Sequence, residues 1–196
     1  SDFLQHEFLN RSGEKIETDN AVIIDKFFQI TGIAERRYAP EGILASDLGF
    51  FAAEKAIENA KIDKEELDYI IIAHNFGDVK KSHGRVDMLP TLAAKIKQKL
   101  KIENPYCVAY DLPFGCPGWV EGLIQANYYI KSGDAKKILV IGTETISRVI
   151  DPHDRDSMIY ADGAGATVLE AVESKTKTGI LSHAVRTDTL NEAYFL

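Results

Sequence analysis

Short apolar runs alternate along the chain with longer stretches in which apolar residues recur every three or four positions. The runs at residues 69–73 and 138–141 are rich in β-branched side chains and lack polar alternation, which is typical of strands buried on both faces of a parallel sheet. The pattern also predicts strands at 107–110, 167–171 and 179–184, and helices at 21–30, 47–59, 90–100 and 120–130. Because strands alternate with helices, the sequence predicts an α/β layered fold.

Segment 111–119 connects the predicted strand at 107–110 to the predicted helix at 120–130. Cys116 lies at the junction, and Pro117 stands where the first helical turn should begin, a position that tolerates proline because its missing N–H would have had no partner. A thiol there faces the positive end of the helix dipole, which favours the nucleophilic thiolate. Two interpretations stay open: a cysteine nucleophile at a strand-to-helix turn, or a buried structural cysteine beside a Gly/Pro turn.

Composition limits the possible classes of protein and its expected cellular compartment. The 196 residues are 45% apolar and 27% charged, as expected for a soluble globular protein of one domain or slightly more. The net charge of −7 and the lack of a clustered basic patch argue against a nucleic-acid surface, and no apolar run approaches the ~20 residues of a membrane span. Only Cys107 and Cys116 are cysteines. With no signal-peptide pattern at the N-terminus, we expect a reducing cytoplasm and no disulfide between them.

Other candidate groups give weaker predictions. The five histidines show no metal-ligand spacing, so no metal site is expected. His74 follows the predicted strand at 69–73 and would lie at the carboxyl edge of the sheet, which makes it one candidate base for Cys116 and otherwise a surface or loop residue. Glycines 163 and 165 precede a strand, unlike a dinucleotide fingerprint, and indicate close packing. A basic helix end is expected to be solvated, or alternatively to attract an acidic partner such as a carrier protein: Lys95, Lys97, Lys99 and Lys101.

Four motifs together carry a family resemblance. They are Thr31-Gly-Ile33 followed by Arg36, the segment 111–119, Asp151-Pro-His-Asp-Arg155 and Ala161-Asp-Gly-Ala-Gly-Ala166. In order and spacing they resemble the β-ketoacyl-acyl-carrier-protein synthase III family of the thiolase superfamily, over nearly the whole chain. The resemblance implies a thiolase-like fold, with a layered α-β-α N-terminal domain at residues 1–174 built on a mostly parallel five-stranded sheet. Residues 175–196 would begin a second thiolase-like domain that is otherwise absent.

The same resemblance implies that the sequence is part of a longer protein. A first strand, expected to be central in the sheet, would precede residue 1, and a second half would follow residue 196. Loss of a central strand would leave two rows of backbone groups unpaired, each costing on the order of 1–3 kcal/mol if buried. The family's catalytic His and Asn would lie in the second half, so we expect this chain alone to be inactive.

By this resemblance the protein would be a condensing acyltransferase of fatty acid or related lipid or polyketide biosynthesis. Cys116 would take an acyl group from acyl-CoA or acyl carrier protein as a thioester, and its own backbone N–H would help to form the oxyanion hole. The acyl-enzyme would then condense with malonyl-acyl-carrier protein, with loss of carbon dioxide. Coenzyme A thioester is a substrate in this scheme, and no cofactor or metal is implied.

The resemblance also assigns substrate-binding residues. Arg155 would stack on the adenine of coenzyme A, with Phe27 on the other face of that ring. Leu89 would reach across a homodimer interface into the acyl pocket, and Trp119 is assigned to substrate binding beside the nucleophile. Asp162 and its neighbouring glycines would be structural.

Several positions depart from the family pattern. Ile30 stands where the family usually has Arg, Phe27 where it has Trp, and Phe114-Gly115 where it has small alanines, while the polar loop at 75–87 is longer than usual. These changes predict altered binding of coenzyme A and an altered acyl-binding pocket. Two alternatives stay open: an acyltransferase or thioester hydrolase without condensation, and a non-catalytic thiolase-like dimer partner that binds acyl chains or carrier protein.

Overall fold

Four helices and six strands form the chain in a computed structural model that describes residues 2–80, 82 and 85–191. Short 3₁₀ turns join some of these elements. The helices are α1 (Asn20–Thr31), α2 (Ala45–Ala60), α3 (Leu92–Lys99) and α4 (Gly118–Ser132). The strands are β1 (Tyr69–His74), β2 (Asp78–Val79), β3 (Val86–Asp87), β4 (Val108–Pro113), β5 (Lys137–Glu144) and β6 (Gly163–Glu170).

The main sheet confirms the predicted α/β layering. Its strands lie in the order β4-β1-β5-β6. β1 is parallel to both β4 and β5, whereas β6 is antiparallel to β5. Helices α2 and α3 pack on one face of this sheet and α4 on the other. Within the described residues the sheet therefore has four strands rather than the expected five, and it is mixed because its last strand reverses.

The sheet has no gap at its centre. β1 and β5 pair directly, with Ile70 opposite Leu139 and Ile72 opposite Ile141, and all four side chains are fully buried. The expectation that a central strand is missing is therefore wrong, because the two apolar runs bond to each other and leave the open edges at β4 and β6.

The end of the described chain is irregular. The predicted strand at 179–184 is wrong, since no helix or strand follows Glu170 among the described residues up to 191. Leu181 and Val185 are mostly exposed there, so the apolar pattern has no sheet to pack against. The division at residue 174 stays a prediction, and residues 192–196 lie outside the described part.

The starts of α3 and α4 each differ from the predicted ones by two residues. α3 begins at Leu92 rather than at Pro90, and the Thr91 hydroxyl caps it by accepting the Ala94 N–H at 3.1 Å. α4 begins at Gly118, with Pro117 in the capping position. Among the described residues, no helix combines the length and the apolar character needed to cross a bilayer.

Candidate active site

The turn that carries Cys116 is held between β4 and α4. The Phe114 N–H donates to the carbonyl of His74 at 3.0 Å, and the Gly118 N–H donates to the carbonyl of Gly115 at 2.8 Å. A Cβ on Gly118 would lie 3.0 Å from the Cβ of Ala73, so only glycine fits without displacing the sheet. Cys116 is exposed between these fixed points. Its backbone N–H makes no hydrogen bond within the described chain and is free to face a ligand.

Cys116 opens onto a cavity of about 360 Å³ at the carboxyl ends of β1 and β5. Three small residues in register across β1, β5 and β6 line it: Ala73, Gly142 and Gly165. Trp119 also lines the cavity, and its side chain packs over Gly142, where an added Cβ would meet it at 3.4 Å. The structure thus brings Cys116 and Trp119 to one cavity of a size that suits small ligands.

A carboxylate and an amide form another wall of this cavity, and sequence reasoning missed both. The Glu144 Oε2 accepts the backbone N–H of Asn75 at 2.7 Å and its side-chain Nδ2 at 2.9 Å. The Glu144 Oε1 accepts the N–H of Thr145 at 3.2 Å. Their position in the sequence could have marked them as candidate site residues. Each polar side chain comes at the carboxyl end of a predicted buried strand, where the sites of α/β proteins form.

Both ring nitrogens of His74, which also lines this cavity, make hydrogen bonds within the fold. Its Nδ1 accepts the Gly77 N–H at 2.9 Å, so in the neutral ring Nε2 carries the proton that it donates to Asp111 at 2.9 Å. Asp111 also accepts the N–H groups of Leu92 and Ala93 at 2.7 and 2.8 Å, at the start of α3. The buried imidazole therefore connects β1, β4 and α3, so the expectation of a surface or loop residue is wrong. A role of His74 as a base for Cys116 stays a prediction.

Arg155 and Phe27 meet at a second cavity, of about 460 Å³, beside α1. Apolar side chains supply most of its wall, and Lys26, Arg155 and Asp156 supply charge. Arg155 approaches Asp156 only loosely, with its Nε 4.0 Å from a carboxylate oxygen. The two residues that were predicted to enclose an adenine thus share one cavity, while Ile30 at its edge is 76% exposed.

Leu89 lies apart from both cavities. Its side chain is 79% exposed and precedes a cis peptide bond to Pro90. It is not among the described residues that line the cavity at Cys116. Its predicted role requires a partner subunit and stays a prediction.

The lysines near the end of α3 do not form a free basic patch. The Lys95 ammonium lies 3.0 Å from carboxylate oxygens of both Asp78 and Asp87. Lys97 donates to the carbonyls of Asn104 and Cys107 at 2.8 and 2.7 Å. Lys99 pairs with Asp47. Three of the four lysines thus connect segments of the fold through hydrogen bonds and ion pairs. Their charges are not free to attract an acidic partner, which weakens that prediction.

Asp162 is structural, as the motif implied. Its Oδ1 accepts the Ser147 N–H at 2.9 Å, and its Oδ2 accepts the Ala39 N–H at 2.8 Å. The two thiols are unpaired, with Cys107 buried and Cys116 exposed. Within residues 2–80, 82 and 85–191, no group of three or more His, Cys, Asp or Glu side chains could hold a metal ion.

Comparison with known proteins finds relatives of similar sequence and similar fold. The family model of 3-oxoacyl-[acyl-carrier-protein (ACP)] synthase III matches residues 110–189. A β-ketoacyl-[acyl-carrier-protein] synthase III 1 of Vibrio vulnificus is 41% identical over 174 residues, which are 88% of this chain and 50% of the relative. A β-ketoacyl-[acyl-carrier-protein] synthase III of Pseudoalteromonas atlantica is 40% identical over 168 residues, which are 85% and 47% of the two chains.

Solved structures agree with these matches. The synthase III of Thermus thermophilus superposes with a TM-score of 0.65 at 34% identity, covering 77% of this chain and 44% of that one. The synthase III of Aquifex aeolicus gives a TM-score of 0.66 at 35% identity, covering 77% and 46%. The chain spans about half the length of the curated relatives that it matches.

Proposed function

Because the chain belongs to the 3-oxoacyl-[acyl-carrier-protein] synthase III family, we propose that the full-length protein is a condensing acyltransferase of fatty acid or related lipid biosynthesis. The relatives at about 40% identity are named for this activity. The observation that carries the proposal is the exposed Cys116 thiol at the start of α4, open to a cavity large enough for a thioester.

Two steps complete the proposed reaction. The Cys116 thiolate attacks the carbonyl carbon of an acyl thioester, and the donor leaves as its thiolate. The unpaired backbone N–H of Cys116 is available to stabilise the oxyanion that forms. The malonyl thioester then loses carbon dioxide, its C2 carbanion attacks the Cys116 thioester, and the Cys116 thiolate is released. The family's His and Asn, which would assist this second step, are expected in the other half of the full-length protein.

The donor in this proposal is acyl-CoA or an acyl carrier protein, and malonyl-acyl-carrier protein is the second substrate. Arg155 and Phe27 are proposed to hold the adenine, supported by the cavity that they share and by the apolar wall around them. A guanidinium group and an aromatic ring both stack well on a flat heterocycle. Trp119 is proposed to contact the acyl group, because it lines the cavity at Cys116.

A homodimer is also part of the proposal. β4 is an edge strand whose outer row of backbone groups is open, and Tyr106 and Val108 beside that edge are 85% and 47% exposed. Such an edge is suited to pairing with a second copy. In that assembly Leu89 is proposed to reach the partner's acyl cavity. A reducing cytoplasmic location is proposed from the two unpaired thiols.

Intact-protein mass spectrometry of the full-length protein tests the proposed nucleophile. After incubation with acetyl-CoA and longer acyl thioesters, the wild type is expected to gain one acyl mass per chain, on Cys116. Cys116→Ser is expected to gain none, because the serine hydroxyl is a much weaker nucleophile than a thiolate.

Malonyl-acyl-carrier protein then separates the enzymatic alternatives. Loss of the adduct with release of carbon dioxide and a β-ketoacyl product supports condensation. Loss of the adduct to water alone indicates a thioester hydrolase. If no donor acylates Cys116, the nucleophile is wrong and the non-catalytic binding partner becomes the better explanation.

A further inference from the structure

Glu144 and Asn75 form one side of the Cys116 cavity, and the proposed reaction gives neither of them a role. Glu144 ends β5, and Asn75 directly follows β1. A carboxylate only accepts hydrogen bonds, so the Asn75 side chain must turn its Nδ2 toward Glu144 and its Oδ1 away. The 2.9 Å contact from Nδ2 and the 2.7 Å contact from the backbone N–H of Asn75 both end on Glu144 Oε2. Glu144 therefore fixes an amide orientation that is ambiguous for many asparagines.

This orientation leaves the Oδ1 of Asn75 as an unused acceptor. Within the described part of the chain it accepts no hydrogen bond, and it is not among the buried side-chain atoms that lack a partner, so it is open to solvent or to a ligand. Asn75 and Glu144 line the same cavity as Cys116. An acceptor that stays unpaired beside a nucleophile suits a substrate that brings its own N–H donor.

We propose that the Oδ1 of Asn75 accepts the amide N–H of the cysteamine unit in the pantetheine arm, with Glu144 as the positioning residue that orients Asn75. That amide lies two carbons from the thioester sulfur, so it enters the cavity together with the reacting carbonyl. The inference rests on the proposed function, because it takes an acyl thioester as the ligand of this cavity. Coenzyme A and carrier protein share this arm, so the contact serves either donor.

Two small acyl thioester substrates that differ only in the amide N–H test the proposed hydrogen bond. One is an acyl-N-acetylcysteamine thioester, and the other is the same molecule with the amide N–H replaced by an ester oxygen. The rate constant for acylation of Cys116 in the full-length protein is measured for each by quenched mass spectrometry. The wild type is expected to prefer the amide donor by about three- to tenfold, the range for one neutral hydrogen bond.

Variants then assign this preference to the two residues. Asn75→Ala and Glu144→Ala are each expected to lower the ratio of the two rate constants to near one, since the first removes the acceptor and the second its orientation. Asn59→Ala, an exposed asparagine of α2, is the matched control and keeps the wild-type ratio. The ratio is measured on one protein sample, so partial unfolding cancels from it. If Asn75→Ala does not fold, Asn75→Leu removes the acceptor at nearly constant volume.

The possible failures are distinguishable. An unchanged preference in Asn75→Ala overturns the proposed contact while the acylated Cys116 still supports the proposed function. A preference that is lost in Asn75→Ala but kept in Glu144→Ala overturns the positioning role of Glu144. Absence of acylation by both donors in the wild type contradicts the proposed function itself.

Discussion

At the scale of single residues, the two cysteines of this chain differ in burial. Cys107 starts the approach to β4 with only 1% of its surface exposed, whereas Cys116 is exposed at the start of α4. Burial, the largest cause, raises the pKa of the Cys107 thiol. The thiolate is the reactive form, so the sulfur atom of Cys107 is both less accessible and harder to ionise than that of an exposed thiol.

Alkylation with iodoacetamide is expected to label one thiol of this chain in the folded full-length protein. Mass mapping should find the label on Cys116, and in denaturant Cys107 should become labelled as well. Cys116→Ala is the control and should lose the native label. Equal labelling of both cysteines in the folded protein contradicts the burial of Cys107.

Gly122 sets the distance between α4 and the sheet. A Cβ at this position would lie 2.8 Å from Cγ1 of the buried Val140. We expect Gly122→Ala to lower the free energy of unfolding by about 1–3 kcal/mol, the usual cost of overpacking a core. Urea titration of the full-length protein measures it. Gly163→Ala is the control, since a Cβ there meets nothing within 4 Å, and equal losses in both variants contradict the steric explanation.

At the scale of elements, α3 depends on β4 for its start. Asp111 on β4 accepts two N–H groups from the first turn of α3 and the Nε2–H of His74. We expect Asp111→Ala to cost about 2–3 kcal/mol of unfolding free energy, because buried donors lose a charged acceptor. Thr91→Ala, which removes only the local cap, should cost about 1 kcal/mol. A smaller loss from Asp111→Ala than from Thr91→Ala in urea titrations contradicts this dependence.

The contact between α2 and α3 predicts a pH effect. Burial, the largest cause, acts upward on the pKa of Asp47, but the hydrogen bonds from Lys99 and the Leu44 N–H together outweigh it and hold that pKa below its ordinary value. The contact therefore stabilises the fold above the unfolded pKa of about 3.9 and is lost as the pH falls through the lower folded value.

Lys99→Met should flatten this acid dependence of the unfolding free energy. The change should be small, below about 1 kcal/mol, because both side chains are partly exposed. Lys55→Met, an exposed residue of α2 without a described partner, serves as the control. An equal change in both variants indicates a net-charge effect instead.

Local pattern predicts β1, β5 and α4 well. β1 and β5 follow from their runs of β-branched residues, and α4 from its apolar spacing. The start of α3 does not, because Asp111 supplies its acceptor from 19 residues away. The Glu144–Asn75 pair is equally invisible to local pattern, since 69 residues separate the two. The order and spacing of the motifs predicted Cys116 as the nucleophile, whereas the surrounding hydrogen bonds could be found only in the folded chain.

For the whole molecule, the open edge of β4 predicts how copies assemble. Val108→Lys places a charge on the exposed side of this edge, which opposes strand pairing between copies. Light scattering of the full-length protein should show a dimer for the wild type and a monomer for the variant. Leu181→Lys, at an exposed site away from the sheet, should remain dimeric. A dimeric Val108→Lys protein places the interface elsewhere.

The direct pairing of β1 with β5 also affects how this fold can form during synthesis on the ribosome. Strands reach the tunnel exit in the order β1, β4, β5 and β6, and each later strand finds an earlier one already present as its neighbour. Each inner strand of the described sheet pairs with strands that are synthesised within the same part of the chain. The apolar faces of β1 and β5 can therefore be covered during synthesis, while exposed strand edges are most prone to aggregation.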